Sequence, residues 1–257
     1  MIDTHTHLYD EAFKKDFDEV IAKIKAAGID KCIFPGIDIE NHQPMMDCVK
    51  KLPGFAFPAI GLHPTSVKED WKKELDFVKN EIDKNKYYAV GEIGLDLHWS
   101  KDFLEEQKEV FRQQVILANE RDLPILIHVR DAICYCLEIL KELKKTLKNP
   151  IRGIFHAYSG SIETFNEIMK LGDFYVGIGG VITFKKASIA KTIINIPLER
   201  IVLETDSPYL TPTPFRGKRN DSSYICIIAE KIAELKNIDI EIIKKITTEN
   251  AKKLFNI

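Results

Sequence analysis

MIDTHTHLYD, residues 1–10, begins as a short apolar strand and then places histidines at positions 5 and 7. In an extended strand the side chains of residues i and i+2 point to the same face, so His5 and His7 can converge on one point. An isolated pair of this kind also fits one histidine packed in the core and one in solvent. The choice between these interpretations depends on whether later strands repeat the pattern.

Further short apolar runs follow at intervals of roughly thirty residues, which is about the size of a βα unit. They are KCIFPG at 31–36, FAFPAIGLHP at 55–64, YYAVGEIGLD at 87–96, PILIHVR at 124–130, IRGIFHAYSG at 151–160, DFYVGIGG at 173–180 and RIVLETDSP at 200–208. Stretches with helical spacing lie between them, including 10–28 and 103–122. The nearly continuous apolar character of the runs indicates strands buried on both faces.

The pattern amounts to about eight strands alternating with about eight helices in 257 residues, and a (β/α)₈ barrel needs about 250. We therefore predict an α/β fold, a single TIM barrel that forms one hydrolase domain over residues 1–257. A doubly wound sheet is the alternative, because alternation alone does not distinguish the two. Residues 222–257 are expected to supply the last helices.

The position of the polar residues favours the barrel. Histidine or acidic residues end most of the predicted strands: His5, His7, His63, Glu92, His128, His156, Glu204 and Asp206. Such side chains are costly at the end of a buried strand unless they are paired, and in a barrel these ends meet at one mouth. Imidazole and carboxylate groups without cysteine indicate a divalent metal such as Zn, Mn or Mg. His42 and His98 lie outside strand ends, and we interpret them as surface or rim residues.

Composition restricts the other classes of function. Lys and Arg number 37 and Asp and Glu 39, giving a net charge of −2, which excludes a broad polycation but allows a local basic rim. No apolar run resembles a signal peptide or a membrane span. The five cysteines are an odd number and predict free thiols in a reducing cytoplasm. Cys134 and Cys136 diverge on a predicted helix, so a metal role is not expected for them.

Seven motifs together resemble the TatD family of metal-dependent deoxyribonucleases, within the metal-dependent hydrolase superfamily. They are DTHTHL at 3–8, GLHP at 61–64, VGEIGLD at 90–96, LPILIHVRDA at 123–132, FHAYSG at 155–160, LETDSPYL at 203–210 and PFRGKRN at 214–220. The resemblance covers essentially the whole chain. It departs from the family after Asn220, where Asp221-Ser222 replaces a frequent Glu-Pro, in the loop that would hold substrate or cover the mouth.

The resemblance implies a TIM barrel with two divalent ions, Mg, Mn or Zn. His5, His7 and Asp206 would hold one ion, and His128 and His156 would hold the other. Glu92 would bridge the two ions. Phosphotriesterases and several amidohydrolases of the superfamily use a carboxylated lysine as the bridge, and no lysine ends a predicted strand here. That difference favours the nuclease branch.

The expected reaction is hydrolysis of phosphodiester bonds in DNA by water activated at two metals. Glu92 and Asp206 are the expected catalytic residues, and Asp206 either accepts a proton or only orients the water. His63 is expected to contact the scissile phosphate. Arg130 either binds phosphate or forms a buried pair with an acidic neighbour.

Arg216 and Lys218, with Arg219 beside them, form a basic cluster after the last strand. They either grip the DNA backbone or are a solvated surface. The expected substrate is single-stranded DNA or DNA with free ends, and the expected protein is a monomer that does not bind membranes. The alternative is an amidohydrolase or esterase, including an aminoacyl-tRNA deacylase, because its metal site would look the same. A non-enzymatic scaffold is disfavoured by the complete ligand set.

Overall fold

The computed structural model describes residues 1–257 and contains eight parallel strands. They are β1 (Ile2–Asp3), β2 (Lys31–Phe34), β3 (Ala56–Pro58), β4 (Val90–Asp96), β5 (Ile125–Arg130), β6 (Arg152–Phe155), β7 (Asp173–Ile178) and β8 (Ile201–Leu203). The strands pair in sequence order, as β1–β2–β3 and as β4 to β8. All of these pairs are parallel.

Two isolated parallel bridges close these strands into a barrel. Ile60 bridges Val90 and so joins the chain after β3 to β4. Thr6 bridges Ser207 and joins the chain after β1 to the chain after β8. The ring of eight strands is therefore complete, as a (β/α)₈ barrel requires, and the predicted fold is confirmed. The doubly wound alternative is wrong, because an open sheet would leave two unpaired edges.

Nine α-helices surround the strands. They are α1 (Phe17–Ala26), α2 (Ile39–Lys51), α3 (Trp71–Glu81), α4 (Leu104–Glu120), α5 (Ile133–Leu143), α6 (Ile162–Met169), α7 (Ile189–Thr192), α8 (Ile225–Lys236) and α9 (Ile240–Phe255). The tail from residue 222 supplies α8 and α9, as predicted. Each helix is too short or too polar to cross a bilayer.

The hydrophobic core has two layers. Alternate residues of the barrel wall point inwards and, with three residues of α9, form an inner cluster of 12 buried residues. A larger cluster of 57 lies between the strands and the helices. Leu254 and Phe255 of α9 belong to the inner cluster. Arg152, at the start of β6, donates to the carbonyl of Leu254 at 3.3 Å. The end of α9 therefore lies at the amino ends of the strands, and the opposite end is left for the site.

The observed elements are shorter than the predicted ones. Regular pairing of β1 ends at Asp3. The chain bends at Thr4 and His5 and rejoins the barrel wall at Thr6, whose N–H donates to the Ile33 carbonyl at 3.1 Å. The helix predicted over 10–28 begins at Phe17. A 3₁₀ turn at Glu11–Phe13 precedes it, because the Asp10 side chain accepts from the turn's backbone.

Candidate metal centre

The residues predicted as metal ligands meet at the carboxyl end of the barrel. Glu92 and His128 lie within β4 and β5. The others lie just beyond the ends of β1, β6 and β8, and they are His5, His7, His156 and Asp206. Closure of the barrel brings the first residues of the chain beside the eighth strand, because the N–H of Asp206 donates to the His5 carbonyl at 2.9 Å.

The backbone of β4 directs Glu92 into the mouth. The pairing of β4 with β5 shifts register between Val90 and Ile93, an irregularity of the kind that re-aims a side chain. Gly91 permits the close approach of the two strands, because a Cβ there would lie 2.4 Å from Cβ of Leu126. As a result the Glu92 side chain is almost completely buried among imidazoles.

Glu92 is the hub of the cluster. Its Oε2 lies 3.0 Å from Nε2 of His5. Its Oε1 lies 2.9 Å from Nδ1 of His128 and 3.0 Å from Nε2 of His156. Burial by itself would raise the pKa of the Glu92 carboxyl, but the imidazoles outweigh that effect and hold the pKa well below its usual range. Glu92 is thus an anion whose two oxygens face different histidines.

Asp206 completes the other side of the cluster. Its Oδ1 lies 3.4 Å from Nε2 of His7 and 3.7 Å from Nε2 of His5. Burial raises the pKa of the Asp206 carboxyl, but His7 and the other nearby imidazoles lower it more, so the pKa stays below its usual value. The backbone φ of Asp206 is +57°, a left-handed conformation that Asp tolerates better than most residues.

In His7, His128 and His156, one ring nitrogen faces the cluster and the other points away from it. The nitrogen that points away lies next to a hydrogen-bond acceptor in each case. The Tyr9 hydroxyl lies 2.9 Å from Nδ1 of His7 and donates its own proton to the Pro35 carbonyl, so its oxygen accepts from the imidazole. Oδ2 of Asp96 lies 2.8 Å from Nε2 of His128. Such partners fix the tautomer and leave the other nitrogen free to bind a metal.

Glu204 is the acceptor beside the third of these histidines, His156. Its Oε1 accepts the backbone N–H of Ala157 and lies 3.4 Å from Nδ1 of His156. Gly177 makes room for this buried carboxylate, since a Cβ there would lie 1.9 Å from Glu204 Oε2. Tyr9, Asp96 and the positioning role of Glu204 were not predicted from the sequence, although Asp96 and Glu204 stand inside the motifs VGEIGLD and LETDSPYL.

His63 differs from the other histidines because the nitrogen that points away from the cluster accepts a hydrogen bond from the backbone. Its Nδ1 accepts from the backbone N–H of Thr65 at 3.2 Å, so the neutral ring carries its proton on Nε2. That Nε2 lies 3.4 Å from Oε1 of Glu92. His63 therefore presents a hydrogen-bond donor to the mouth rather than a lone pair. This geometry agrees with a contact to an anionic substrate and disfavours a metal ligand.

Unpartnered nitrogen atoms provide a test of whether a metal fits. Both ring nitrogens of His5 are buried without a hydrogen-bond partner, and its Nε2 faces the carboxylates of Glu92 and Asp206. Buried polar atoms are costly when unpaired, and lone pairs directed between carboxylates are satisfied by a cation. Burial and the neighbouring His156 also lower the pKa of His5, which favours the neutral imidazole that a metal requires. The residues present therefore fit a divalent ion.

Three sets of ligand atoms lie within 4.8 Å of one another: His5–His7–Asp206, His5–Glu92–His156 and His63–Glu92–His128. The first set matches the first ion of the resemblance. The ligands assigned to the second ion are divided between the other two sets, and Glu92 is the member that these two sets share.

The centre lies at the bottom of a cleft of about 680 Å³. Arg130 lines this cleft, is exposed, and has no acidic partner within ion-pair distance. Its guanidinium carbon lies 5.5 Å from the centroid of the Trp99 ring. The alternative that Arg130 forms a buried pair with an acidic neighbour is therefore wrong.

The basic cluster after β8 does not line the cleft. Arg216 is exposed and stacks over Phe184 at 4.2 Å, and Lys218 is exposed without an acidic partner. Arg219 is different, because it forms two hydrogen bonds to the carboxylate of Asp16, at 2.9 and 2.6 Å. Only Arg216 and Lys218 thus remain free to contact an anion.

His98 and His42, the two histidines outside the strand ends, belong to none of the ligand sets. His98 is exposed and lies 3.2 Å from Asp131, whereas His42 is half-buried and bonds the Tyr87 hydroxyl at 2.8 Å. Asn220 is buried and donates to the carbonyls of Thr205 and Tyr209. The loop that departs from the family pattern is therefore anchored beside the mouth.

Comparisons with known proteins identify the family of the chain. The sequence profile of a family described as TatD related DNase matches residues 2–256. The chain is 43% identical over 258 residues to the uncharacterized metal-dependent hydrolase YabD of Bacillus subtilis (strain 168), covering 100% of this chain and 99% of that protein. It is 31% identical over 261 residues to the uncharacterized metal-dependent hydrolase YcfH of Escherichia coli (strain K12), covering 100% and 96%.

The fold has a near match among solved structures. The crystal structure of YJJV, a TatD homolog from Escherichia coli k12, aligns with a TM-score of 0.91 and 28% identity, covering 100% of this chain and 98% of that one. The family match extends over nearly the whole chain, and the cluster of imidazoles and carboxylates fits a divalent ion. This chain belongs to the family of TatD-related DNases and is a metal-dependent hydrolase.

Proposed function

We propose that this hydrolase cleaves phosphodiester bonds in DNA with two divalent ions held on either side of Glu92. The observation that carries the proposal is that the two oxygens of the Glu92 carboxylate face different imidazoles. Oε2 faces His5, whereas Oε1 faces His128 and His156. A carboxylate with this surrounding can serve as a ligand to two ions at once.

The remaining ligands divide between the two sides. His5, His7 and Asp206 would hold one ion, and His128 and His156 would hold the other. Imidazole nitrogen and carboxylate oxygen suit Zn or Mn, and Mg is also compatible with the carboxylates. Bound there, the ions would lower the pKa of a water molecule and neutralise charge on the phosphoryl oxygens.

The residues of the chain have separate roles in this reaction. Asp206 is an anion at the edge of the cluster and can accept a proton or orient water. His63 carries its proton on Nε2, 3.4 Å from Glu92, and can donate it in a hydrogen bond to a phosphoryl oxygen. Arg130 brings an unpaired positive charge to the wall of the cleft, where it can bind a phosphate.

Two observations favour DNA as the substrate. The family that the chain belongs to is described as a DNase family. The cleft has a basic side chain without an acidic partner, and Arg216 and Lys218 are free on the loop that follows Leu210, a cleft residue. An amide or an uncharged ester would leave these charges without a partner. A monomer in a reducing cytoplasm is part of the same proposal, and the five free cysteines support the reducing compartment.

The test is metal-dependent release of nucleotides from end-labelled single-stranded DNA, run beside a panel of carboxylic esters, amides and aminoacyl-tRNA. We expect the DNA to be cleaved and the activity to disappear in Glu92→Gln. Glu81→Gln is the matched control, because Glu81 is also a buried carboxylate but pairs with Lys84 away from the centre. Turnover of an ester, amide or aminoacyl-tRNA without cleavage of DNA would overturn the phosphodiester assignment.

A further inference from the structure

Trp99 is the most exposed large hydrophobic residue of the protein, with 73% of its surface accessible. It follows β4 directly and lines the cleft over the metal centre. Its ring is held from two directions: the guanidinium of Arg130 lies over it, and the ring of His98 meets it edge-on at 5.1 Å. His98 is itself held by Asp131 at 3.2 Å. The indole thus contacts two side chains and leaves most of its surface exposed to solvent.

Arg130 makes this surface suitable for a nucleotide. A guanidinium stacked on an aromatic ring keeps its donors free at the edges, so it can stack and bind a phosphate at the same time. Arg130 lies two residues after His128 on β5, so its charge is close to the predicted metal ligands. The pair formed by Trp99 and Arg130 therefore offers a flat π-face and a phosphate donor next to the reacting centre.

A second exposed aromatic residue lies on the other side of the mouth. Tyr209 is 55% exposed, lines the same cleft, and has its ring 6.1 Å from the ring of His7. It follows β8, whereas Trp99 follows β4. These strands are four positions apart in a closed ring of eight, so they lie across the barrel from each other. The metal centre lies between the two aromatic side chains.

We propose that the pair formed by Trp99 and Arg130 binds an unpaired nucleobase adjacent to the scissile phosphate, and that Tyr209 contacts the nucleotide on the other side. This inference rests on the proposed function and assigns the residues that bind the bases of its substrate, a strand end with unpaired bases. In a duplex, neighbouring pairs cover both faces of every base except the outer face of the terminal pair, so the nucleotides on the two sides of the scissile phosphate cannot both reach an aromatic side chain while they are paired. Blunt double-stranded ends are therefore poor substrates.

The protein has two tryptophans, Trp71 and Trp99, so stacking can be observed directly. In Trp71→Phe, Trp99 is the only source of indole fluorescence. The metal-loaded variant is titrated with a phosphorothioate oligonucleotide that resists hydrolysis and has an unpaired end. We expect saturable quenching, weaker by about 5- to 150-fold in affinity when the terminal nucleotides lack a base. A blunt hairpin of the same length is expected to quench little.

Kinetics separate stacking from a structural effect. In Trp99→Ala, KM for the ordinary oligonucleotide should rise by about 5- to 150-fold, and KM for the oligonucleotide with abasic ends should stay near that of the wild type. Trp99→Phe should recover most of the loss. Tyr135→Ala is the control for removing an exposed aromatic side chain outside the cleft.

Three results would contradict the inference. An equal rise of KM for the two oligonucleotides would make Trp99 a support for the loop, and strong quenching by the blunt hairpin would exclude selection of unpaired bases. Either result leaves the proposed function intact if the wild type cleaves DNA. Absence of DNA cleavage by the wild type would instead refute the proposed function, and the inference with it.

Discussion

Replacing Tyr9 with phenylalanine removes one oxygen atom and tests how the protein orients its ligands. That oxygen accepts from Nδ1 of His7 at 2.9 Å and donates to the Pro35 carbonyl. Burial and the nearby carboxylates raise the pKa of the Tyr9 hydroxyl well above its usual value, so the group keeps its proton at working pH. Without it, the His7 ring loses the partner that holds its metal-binding nitrogen towards Asp206.

The expected size of the effect follows from these two hydrogen bonds. Loss of such a partner typically costs 10- to 100-fold in metal affinity, or about 1.4 to 2.7 kcal/mol. The unpaired imidazole N–H and carbonyl should also lower the free energy of unfolding of the metal-free protein by about 1–3 kcal/mol. Calorimetric titration of the metal-free protein measures the first quantity, and denaturant unfolding measures the second.

Tyr87→Phe is the matched control, because the Tyr87 hydroxyl also bonds a histidine, Nε2 of His42 at 2.8 Å, away from the centre. It should lower the free energy of unfolding and leave metal affinity unchanged. If Tyr9→Phe binds metal as tightly as the wild type and loses only as much stability as this control, the role assigned to the Tyr9 hydroxyl is refuted.

Three further predictions concern the surroundings of the centre. Gly177→Ala should reduce metal affinity by about 10- to 100-fold, because the added Cβ would displace Glu204, and unchanged affinity in a titration would contradict its positioning role. Although burial lowers the pKa of His156, two adjacent carboxylates outweigh it and raise the pKa well above the usual value, so protons must leave before metal binds. Metal affinity should then rise with pH, with proton release visible by calorimetry in buffers of different ionisation enthalpy. Changing Arg216 and Lys218 to alanine should lower the salt dependence of single-strand binding by about 0.7 per lost contact; an unchanged slope would identify a solvated surface.

The sequence was sufficient to predict the barrel and the convergence of the ligands. Histidine and acidic residues at the ends of buried strands are costly unless they meet, and only a closed barrel brings the ends of β1, β4 and β8 to one place. The lengths of the strands were less predictable. His5 and His7 lie beyond the regular part of β1, where the chain bends, and backbone bonds to β2 and to the chain at β8 hold this segment in place.

The partners of the ligands could not be predicted because they depend on side chains that are distant in sequence. Asp96 reaches His128 across two paired strands, and the register shift at the start of β4 is not visible in the residue pattern. The sequence pattern groups Arg219 with its basic neighbours, but the fold places Asp16 of the first βα connection beside it. The exposed position of Trp99 likewise depends on the loop after β4.

Anomalous diffraction from crystals of the enzyme grown with Mn²⁺ tests most directly whether Glu92 bridges two metal ions. Two metals that act together on one phosphate lie about 3.5–4 Å apart. We expect two anomalous peaks at that separation, with one oxygen of Glu92 on each, His5 beside one peak and His156 beside the other. A single peak, or two peaks that do not share Glu92, would contradict the assignment of Glu92 as the bridge.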